Sequence, residues 1–257
     1  IGRYTEDAGT ALQLEADGAV TAGAFGVFDV GPFREDGDLL HLTAADDLAG
    51  CASILCALAR CASRGAEANA IGLFTRCEET GIAGATLVAR EGILPKDAIV
   101  VSLEASRELP GAVMGGGPVI RVGDRVMTFH PEGEALLRRA SDRLIRHQPA
   151  STVQRQLMYG GVCEATAYLA AGYMATGIAF PLGNYHNVTE DLRIAAEYIH
   201  RRDLETGTDL LVAIIEMSLE ESEPEPIVLR MRRRADEVEE RLRRTAGAWR
   251  DCRLPPP

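Results

Sequence analysis

The sequence predicts an α/β protein with three layers, α/β/α, in which a mostly parallel central sheet lies between two sets of helices. Segments with the length and composition of strands alternate with segments of helical periodicity along most of the chain. Two of the strand-like segments, residues 69–77 and 97–105, are almost continuously apolar, as in strands that helices cover on both faces. The 257 residues are enough to bury a core of this kind.

The first part of the chain differs from the rest. Residues 1–40 are rich in Gly, Asp and Ala and contain only short strand-like runs, such as residues 19–31. Another short run, residues 38–44, leads into the first helical segment. We therefore predict a residual N-terminal segment at residues 1–40, followed by the main domain at residues 41–220.

The main domain carries the alternating pattern. Residues 48–63 are small and apolar almost all round, which predicts a buried helix. Residues 131–147 have the apolar spacing of an amphipathic helix, with basic residues in the last turn. The predicted elements, in chain order, are helix 48–63, strand 69–77, helix 82–90, strand 97–105, strands 119–123 and 125–129, helix 131–147, strand 151–159, helix 163–172, strand 173–180 and helix 194–219.

Residues 221–257 are predicted to form a linker followed by a charged helix over residues 230–248. Nine Arg and eight Asp or Glu residues leave this tail close to neutral, so the acidity of the protein lies in its main domain. A helix of this composition is typical of a solvated surface, and a helix that binds a partner is the alternative.

The overall composition excludes several classes of function. A net charge of −11 argues against non-specific binding to nucleic acid, which needs a basic face. No run of about 18 apolar residues occurs, so we expect no membrane span. The six cysteines lack the spacing of zinc knuckles or CxxC motifs, which favours reduced thiols and a cytoplasmic protein.

Acidic residues and one histidine follow the predicted strands where those strands end. The carboxyl ends of parallel strands meet at one edge of a sheet, which is where ligands bind in open α/β folds. The side chains that we expect at this edge are Asp46, Asp47, Glu78, Glu79, Glu104 and His186.

A metal site would explain why these acidic side chains and the histidine lie together. Carboxylate and imidazole ligands with an open position suit zinc, cobalt or manganese, and one Asp can bridge two ions. A glutamate that does not bind the metal can then accept a proton from the attacking water. Adjacent residues of an extended segment point in different directions, so Glu78 and Glu79 can divide these two tasks.

Four stretches of the sequence carry a resemblance to a known family. They are "AADDLAGCASIL", "CEETGIAGA", "VSLEASRELPGAVMGGGPVI" and "GGVCEATAYLAAGYMATGIAFPLGNYHNVTED". In this order they resemble the motifs of the dinuclear metalloaminopeptidases typified by the tetrahedral, deblocking and glutamyl aminopeptidases, which have the zinc exopeptidase-like fold. The resemblance covers roughly residues 25–215.

The resemblance implies a role for each residue of the cluster. Asp46 is expected to bridge two divalent metal ions, zinc or cobalt or else manganese. Glu79 and His186 are expected on one ion, and Glu104 on the other. Glu78 is the expected general base, and Asp47 is expected to hold the bridging Asp in an unusual backbone geometry.

The sequence also departs from the family pattern. The family has a further ligand, a histidine in an "H-D" pair upstream of the bridging Asp, and a β-rich inserted domain between the two. No such pair precedes Asp46, so one metal site is expected to be incomplete in this chain. Either the N-terminal strands are missing and residues 1–40 are the returning end of the insertion, or the chain is a degenerate homologue. A third reading makes His41 a replacement ligand.

Smaller departures from the family pattern are Leu48, where the family usually has Arg, and residues 162–164, which are Val-Cys-Glu where the family has Thr-Asp.

Three functions remain open at this point. The first is a metal-dependent aminopeptidase that removes N-terminal residues from peptides through a metal-activated water and assembles as a homo-oligomer. The second is a metal-dependent amide hydrolase that acts on N-acyl amino acids. The third is a non-catalytic scaffold that retains the fold.

Overall fold

A computed structural model describes residues 3–5, 11–13, 18–24, 26–65, 69–218 and 227–246. Within them, helices cover both faces of a seven-stranded sheet, so the α/β fold with three layers is confirmed. The strands are β1 (Arg3–Thr5), β2 (Ala11–Gln13), β3 (Arg34–Asp36), β4 (Leu39–Leu42), β5 (Ile99–Arg107), β6 (Val119–Arg121), β7 (Gln154–Gln156), β8 (Met174–Gly183) and β9 (Glu197–His200). The helices are α1 (Ala45–Ser63), α2 (Ala83–Glu91), α3 (Pro131–His147), α4 (Glu164–Ala170), α5 (Arg201–Met217) and α6 (Ile227–Thr245).

Strand β8 is the centre of the sheet. On one side β8 pairs in parallel with β5, and on the other side it pairs antiparallel with β6 and β9. The sheet is mixed rather than mostly parallel, because β3, β4 and β9 add antiparallel ladders to the parallel β5–β8 and β6–β7 pairs. The two-residue connection between β3 and β4, with Gly37 at φ +59°, permits only an antiparallel hairpin there.

The two faces of β8 separate two cores. Ile178 packs on one face with Leu137 of α3 and Leu210 of α5, and all three side chains are fully buried. Ala175 precedes Ile178 by three residues, an odd number, so its side chain points to the other face. There it packs among residues of α2 and α4 such as Tyr168. This alternation is what a strand covered on both sides requires. The cores hold β5 and β8 rigidly side by side, with their carboxyl ends at one edge.

The predicted strand 69–77 is wrong. In the part of the chain that the structure describes, residues 69–75 make no backbone hydrogen bond to a strand. The side chains of Ile71 and Phe74 are 67% and 47% exposed, whereas Leu73 packs against the core around α2 and α4. The apolar run therefore has the composition of a strand but no ladder partner, and a strand without a partner is not stable.

The predicted helix 194–219 begins too early. Residues 197–200 form β9, which pairs with β4 and β8, and the helix starts only at Arg201. The ring of His200 sets this boundary, because its Nδ1 accepts a hydrogen bond from the backbone N–H of Arg202 at 3.1 Å.

Two more predicted strands are replaced by irregular backbone. Residues 19–31 contain no strand among the positions that the structure describes. Residues 125–129 form a turn, because the carboxylate of Asp124 accepts hydrogen bonds from the backbone N–H groups of Val126 and Met127.

At the C-terminal end, α6 agrees with the predicted charged helix, whereas residues 221–226 of the predicted linker lie outside the described residues. The domain boundaries at residues 40 and 220 remain predictions. Among the described helices, none combines the length and apolar character that a membrane crossing requires.

Candidate metal centre

Three of the predicted ligands lie together at the expected edge of the sheet. Asp46, Glu79 and His186, called the ligand group below, each offer an atom that could bind a metal ion, and these atoms all lie within 4.8 Å of one another. Nε2 of His186 is 3.4 Å from Oε2 of Glu79. The three residues come from the start of α1, the loop before α2 and the turn after β8, so the fold rather than local sequence brings them together.

The start of α1 holds Asp46 and Asp47. The peptide bond between them is cis, and both residues have non-helical backbone angles. Oδ1 of Asp46 accepts a hydrogen bond from the N–H of Ala105 on β5 at 3.3 Å. Oδ1 of Asp47 instead accepts from the N–H of Gly50 at 2.9 Å, where a Cβ atom would lie 2.2 Å from the Asp47 carboxylate. Asp47 therefore braces the turn, while Asp46 faces the other ligands.

The loop before α2 directs the two glutamates to different places. Cys77 and Ile82, which flank them, have φ values of +62° and +50°, in the left-handed region that side chains rarely adopt. The carbonyl of Glu78 accepts hydrogen bonds from the N–H groups of Gly81 and Ile82 and closes the loop. As a result Glu79 belongs to the ligand group, whereas Glu78 lines the same cavity outside that group.

A short helical turn, Tyr185–Asn187, presents His186. The φ value of His186 is +56°, and its ring stacks on the ring of Tyr185 with centroids 3.8 Å apart. The guanidinium of Arg107, at the end of β5, lies 4.5 Å from the centroid of the Tyr185 ring. This stack fixes the orientation of the imidazole towards Glu79.

Glu197 was not predicted, although it ties two ligands together. Its side chain is 3% exposed; Oε2 accepts from the N–H of Asp46 at 3.1 Å, and Oε1 accepts from the N–H of His186 at 2.9 Å. The sequence placed this residue in a helix, so nothing indicated its role. A glutamate within an apolar strand, as in "EYIH", is the signal that could have found it.

We expect Glu197→Gln to weaken metal binding about 10- to 100-fold, the usual effect of losing a residue that orients ligands. The amide of Gln has one acceptor oxygen, so it can keep only one of the two hydrogen bonds. Isothermal titration with Zn²⁺ measures the change, and Glu190→Gln, at an exposed position in the neighbouring loop, is the control. Equal affinities for the two variants would contradict the assigned role of Glu197.

Asp46 and Glu79 line a cavity of about 430 Å³. This volume suits a small-molecule or short-peptide ligand. Four carboxylates and two guanidinium groups line it, together with apolar side chains and the backbone of the loop at residues 160–162. The charged residues are Asp46, Glu78, Glu79, Glu104, Arg107 and Arg121.

Crowded carboxylates in this cavity favour their protonated forms. Burial, followed by the charge of Glu79, raises the pKa of Asp46 to about 7. Burial, followed by the charges of Glu79 and Glu164, raises the pKa of Glu78 to about 7. Glu164 starts α4 and accepts a hydrogen bond from the hydroxyl of Thr75. A cation bound among these groups would relieve their repulsion.

We expect the metal-free protein to be less stable at pH 8 than at pH 5. The pKa of Asp46 is higher in the folded protein than in the unfolded chain, so the stability that protonation provides is lost as the pH rises from about 4 to about 7. Between pH 5 and pH 8 the loss is on the order of 3 kcal/mol, because about two pH units of this interval lie above pH 5. Urea unfolding at the two pH values measures it, and Asp46→Asn should flatten the dependence. Greater stability at pH 8 would contradict the repulsion.

Glu104 is the predicted ligand that the structure keeps out of the group. Its Oε2 accepts a hydrogen bond from Nη1 of Arg121 at 2.8 Å, and both side chains are largely buried. His41 does not replace the missing ligand, because it lies in β4 next to Arg34 and the ring of Tyr198. Among the described residues, His186 is the one histidine in a metal-type cluster.

A comparison with family models identifies the chain. Residues 5–210 match the model described as M42 glutamyl aminopeptidase. The chain belongs to this family. Membership in the M42 family confirms the resemblance on which the residue roles were based, although the roles themselves remain predictions.

Known M42-like proteins agree with this result. A curated protein of Acetivibrio thermocellus, which carries the provisional name of an aminopeptidase, is 29% identical over 218 residues; the match covers 81% of this chain and 61% of that protein. The aminopeptidase APDkam598 of Desulfurococcus kamchatkensis is 26% identical, with a TM-score of 0.57 over 74% of this chain and 52% of its own. The chain thus spans about half to three fifths of the length of these relatives.

Two further solved structures show the same fold at lower identity. A TET aminopeptidase from the marine sediment archaeon Thaumarchaeota archaeon SCGC AB-539-E09 is 24% identical, with a TM-score of 0.59 over 72% of this chain and 51% of its own. The TET1 peptidase of Pyrococcus horikoshii is 22% identical, with a TM-score of 0.54 over 72% of this chain and 52% of its own. The latter protein can assemble into a tetrahedron or a large octahedral shell.

Proposed function

We propose that this chain contains the catalytic domain of a metal-dependent aminopeptidase. The observation that carries the proposal is the convergence of Asp46, Glu79 and His186 within 4.8 Å, beside Glu78, in a member of the M42 family. Peptides with a free N-terminus are the proposed substrates.

The donor set fits one divalent cation. Two carboxylates and one imidazole from separate elements leave a coordination position open, as in catalytic sites for zinc, cobalt or manganese. When bound, such a cation would polarise the carbonyl of the scissile bond and lower the pKa of a water molecule. The hydrogen bonds from Asp46 and His186 to Glu197 keep the ligands in place.

Glu78 is the proposed general base. Its carboxylate lines the cavity beside the ligand group, and its pKa of about 7 is suited to accepting a proton at neutral pH. A carboxylate oxygen of Glu78 would take the proton from the attacking water and later give it to the nitrogen of the scissile bond, which leaves as the new N-terminal amine of the shortened peptide.

The described residues do not fit a second ion. Glu104, its expected ligand, is bonded to Arg121, and no described histidine stands beside it. We therefore derive no catalytic step through a second ion.

The partners and location are also proposed from these relatives and from the sequence. Since the TET1 relative forms closed shells, we propose that this protein also associates with copies of itself. The five cysteines among the described residues are free thiols, which supports a reducing compartment such as the cytoplasm.

Hydrolysis of aminoacyl-p-nitroanilides, with and without a chelator, tests the proposed activity. We expect turnover that a chelator abolishes and that added Zn²⁺ or Co²⁺ restores. N-acetylated versions of the same substrates should not be cleaved, because an aminopeptidase requires the free amine. Full turnover in the presence of chelator would sink the metal-dependent mechanism, and preferred cleavage of N-acetylated substrates would make the chain an N-acyl hydrolase.

A further inference from the structure

Arg121 is a buried cation beneath the carboxylate cluster. It is the last residue of β6, its side chain is 2% exposed, and it lines the same cavity as Asp46 and Glu78. Its Nη1 donates to Glu104 at 2.8 Å, while its Nε is buried without a hydrogen-bond partner. A buried guanidinium is rare unless a carboxylate compensates its charge, so Arg121 and Glu104 depend on each other.

The fold makes room for this side chain. Arg121 pairs across the antiparallel ladder with Gly177 of β8, and a Cβ atom at Gly177 would lie 3.3 Å from Cδ of Arg121. The guanidinium also lies 5.8 Å from the centroid of the Phe129 ring. Arg121 thus lies two residues before the level of Ala179, the β8 residue opposite Glu104, and its side chain reaches along the sheet to the Glu104 carboxylate.

Strand β5 couples this ion pair to the metal centre. Glu104 bonds Arg121, and the next residue, Ala105, donates its N–H to Asp46. The side chains of Asp46, Glu78 and Glu104 line the same cavity. A cation held by Glu104 therefore stands where a second metal ion would have to bind.

We propose that Arg121 takes the place of a second metal ion: its guanidinium occupies Glu104 and makes the carboxylate cluster a centre for one ion in this chain. The inference rests on the proposed metal site formed by Asp46, Glu79 and His186. A guanidinium carries its charge at all relevant pH values and cannot leave the site, so it excludes a second divalent ion by repulsion and by holding its ligand. Arg121 is thus a positioning residue that acts through Glu104.

Metal stoichiometry of the 257-residue chain tests this inference. Equilibrium dialysis against Co²⁺, with metal analysis and the visible absorption spectrum of the bound ion, counts and characterises the sites. We expect one ion per chain in the wild type and also in Glu104→Gln. Arg121→Gln frees Glu104 beside Asp46 and Glu78, so it should bind two ions per chain, whereas Arg121→Lys keeps the charge and should bind one. Arg125→Gln, at an exposed position on the neighbouring turn, is the matched control and should bind one ion.

Each outcome has a definite meaning. Two ions in the wild type, falling to one in Glu104→Gln, would overturn the inference while leaving the proposed function standing. One ion in a folded Arg121→Gln variant would also overturn it, because a purely structural arginine leaves the count unchanged. If that variant does not fold, two ions in the wild type that fall to one in Glu104→Gln still overturn the inference. No bound ion in the wild type would overturn the proposed function and this inference with it.

Discussion

Replacing Glu78 with Gln should lower kcat for aminoacyl-p-nitroanilides by about 10²- to 10⁴-fold, the usual range for loss of a general base. The amide is nearly the same size as the carboxylate but cannot accept the proton from water. Since Glu78 lies outside the ligand group, the metal content should stay at the wild-type value.

Two measurements separate this role from a structural one. Metal analysis of the variant should match the wild type, and the ionisation that limits kcat at low pH should disappear together with Glu78. Glu91→Gln, at an exposed position near the end of α2, is the control and should keep full activity. A Glu78→Gln variant that loses its metal would make Glu78 a ligand, and one with full kcat would assign the base elsewhere.

Replacing His186 with Ala should weaken metal binding by more than about 100-fold, because loss of a ligand costs more than loss of a residue that merely orients one. The imidazole is half exposed, so the space that the variant leaves is open to solvent. Added imidazole should therefore restore part of the metal affinity and of the activity.

The control for this variant is His147→Ala, in the last turn of α3, which should bind metal as the wild type does. Titration with Zn²⁺ in the presence and absence of imidazole gives both affinities. Unchanged affinity in His186→Ala would remove this residue from the metal centre and leave Asp46 and Glu79 without an imidazole partner.

The sequence predicted the ligand group because one rule of the fold applies to it. Strands β4 and β8 run in the same direction, and Asp46 and His186 follow their carboxyl ends, whereas Glu79 follows an apolar segment that is not a strand. The rule predicts that residues lie near one another, but it does not predict their hydrogen-bond partners. It therefore gave no sign that Glu104 lies within β5, which continues to Arg107, and bonds Arg121 there.

The two side chains that organise the cluster could not be predicted in this way. Arg121 lies in the apolar run "VIRVG". Because both faces of such a strand are covered, the alternation of residues does not show to which face the arginine side chain points. Glu197 lies in a four-residue strand that is too short for a period to be recognised, and the helical pattern of α5 extends over it.

The error at residues 69–77 has a different cause. The amino-acid composition indicates that a segment can form a strand, but a strand also needs a neighbouring strand for its hydrogen bonds, and only the fold supplies one. The carboxyl end of this segment was nevertheless placed correctly, because the loop that carries Glu78 and Glu79 is fixed by its own hydrogen bonds to Gly81 and Ile82.

Anomalous diffraction from a crystal of this chain grown with Zn²⁺ tests the metal centre most directly. We expect a peak at the zinc edge between Asp46, Glu79 and His186, about 2.0–2.2 Å from their ligand atoms, and none beside Glu104. A peak at another place in the chain, or no peak among these three residues at saturating Zn²⁺, would contradict the proposed metal centre.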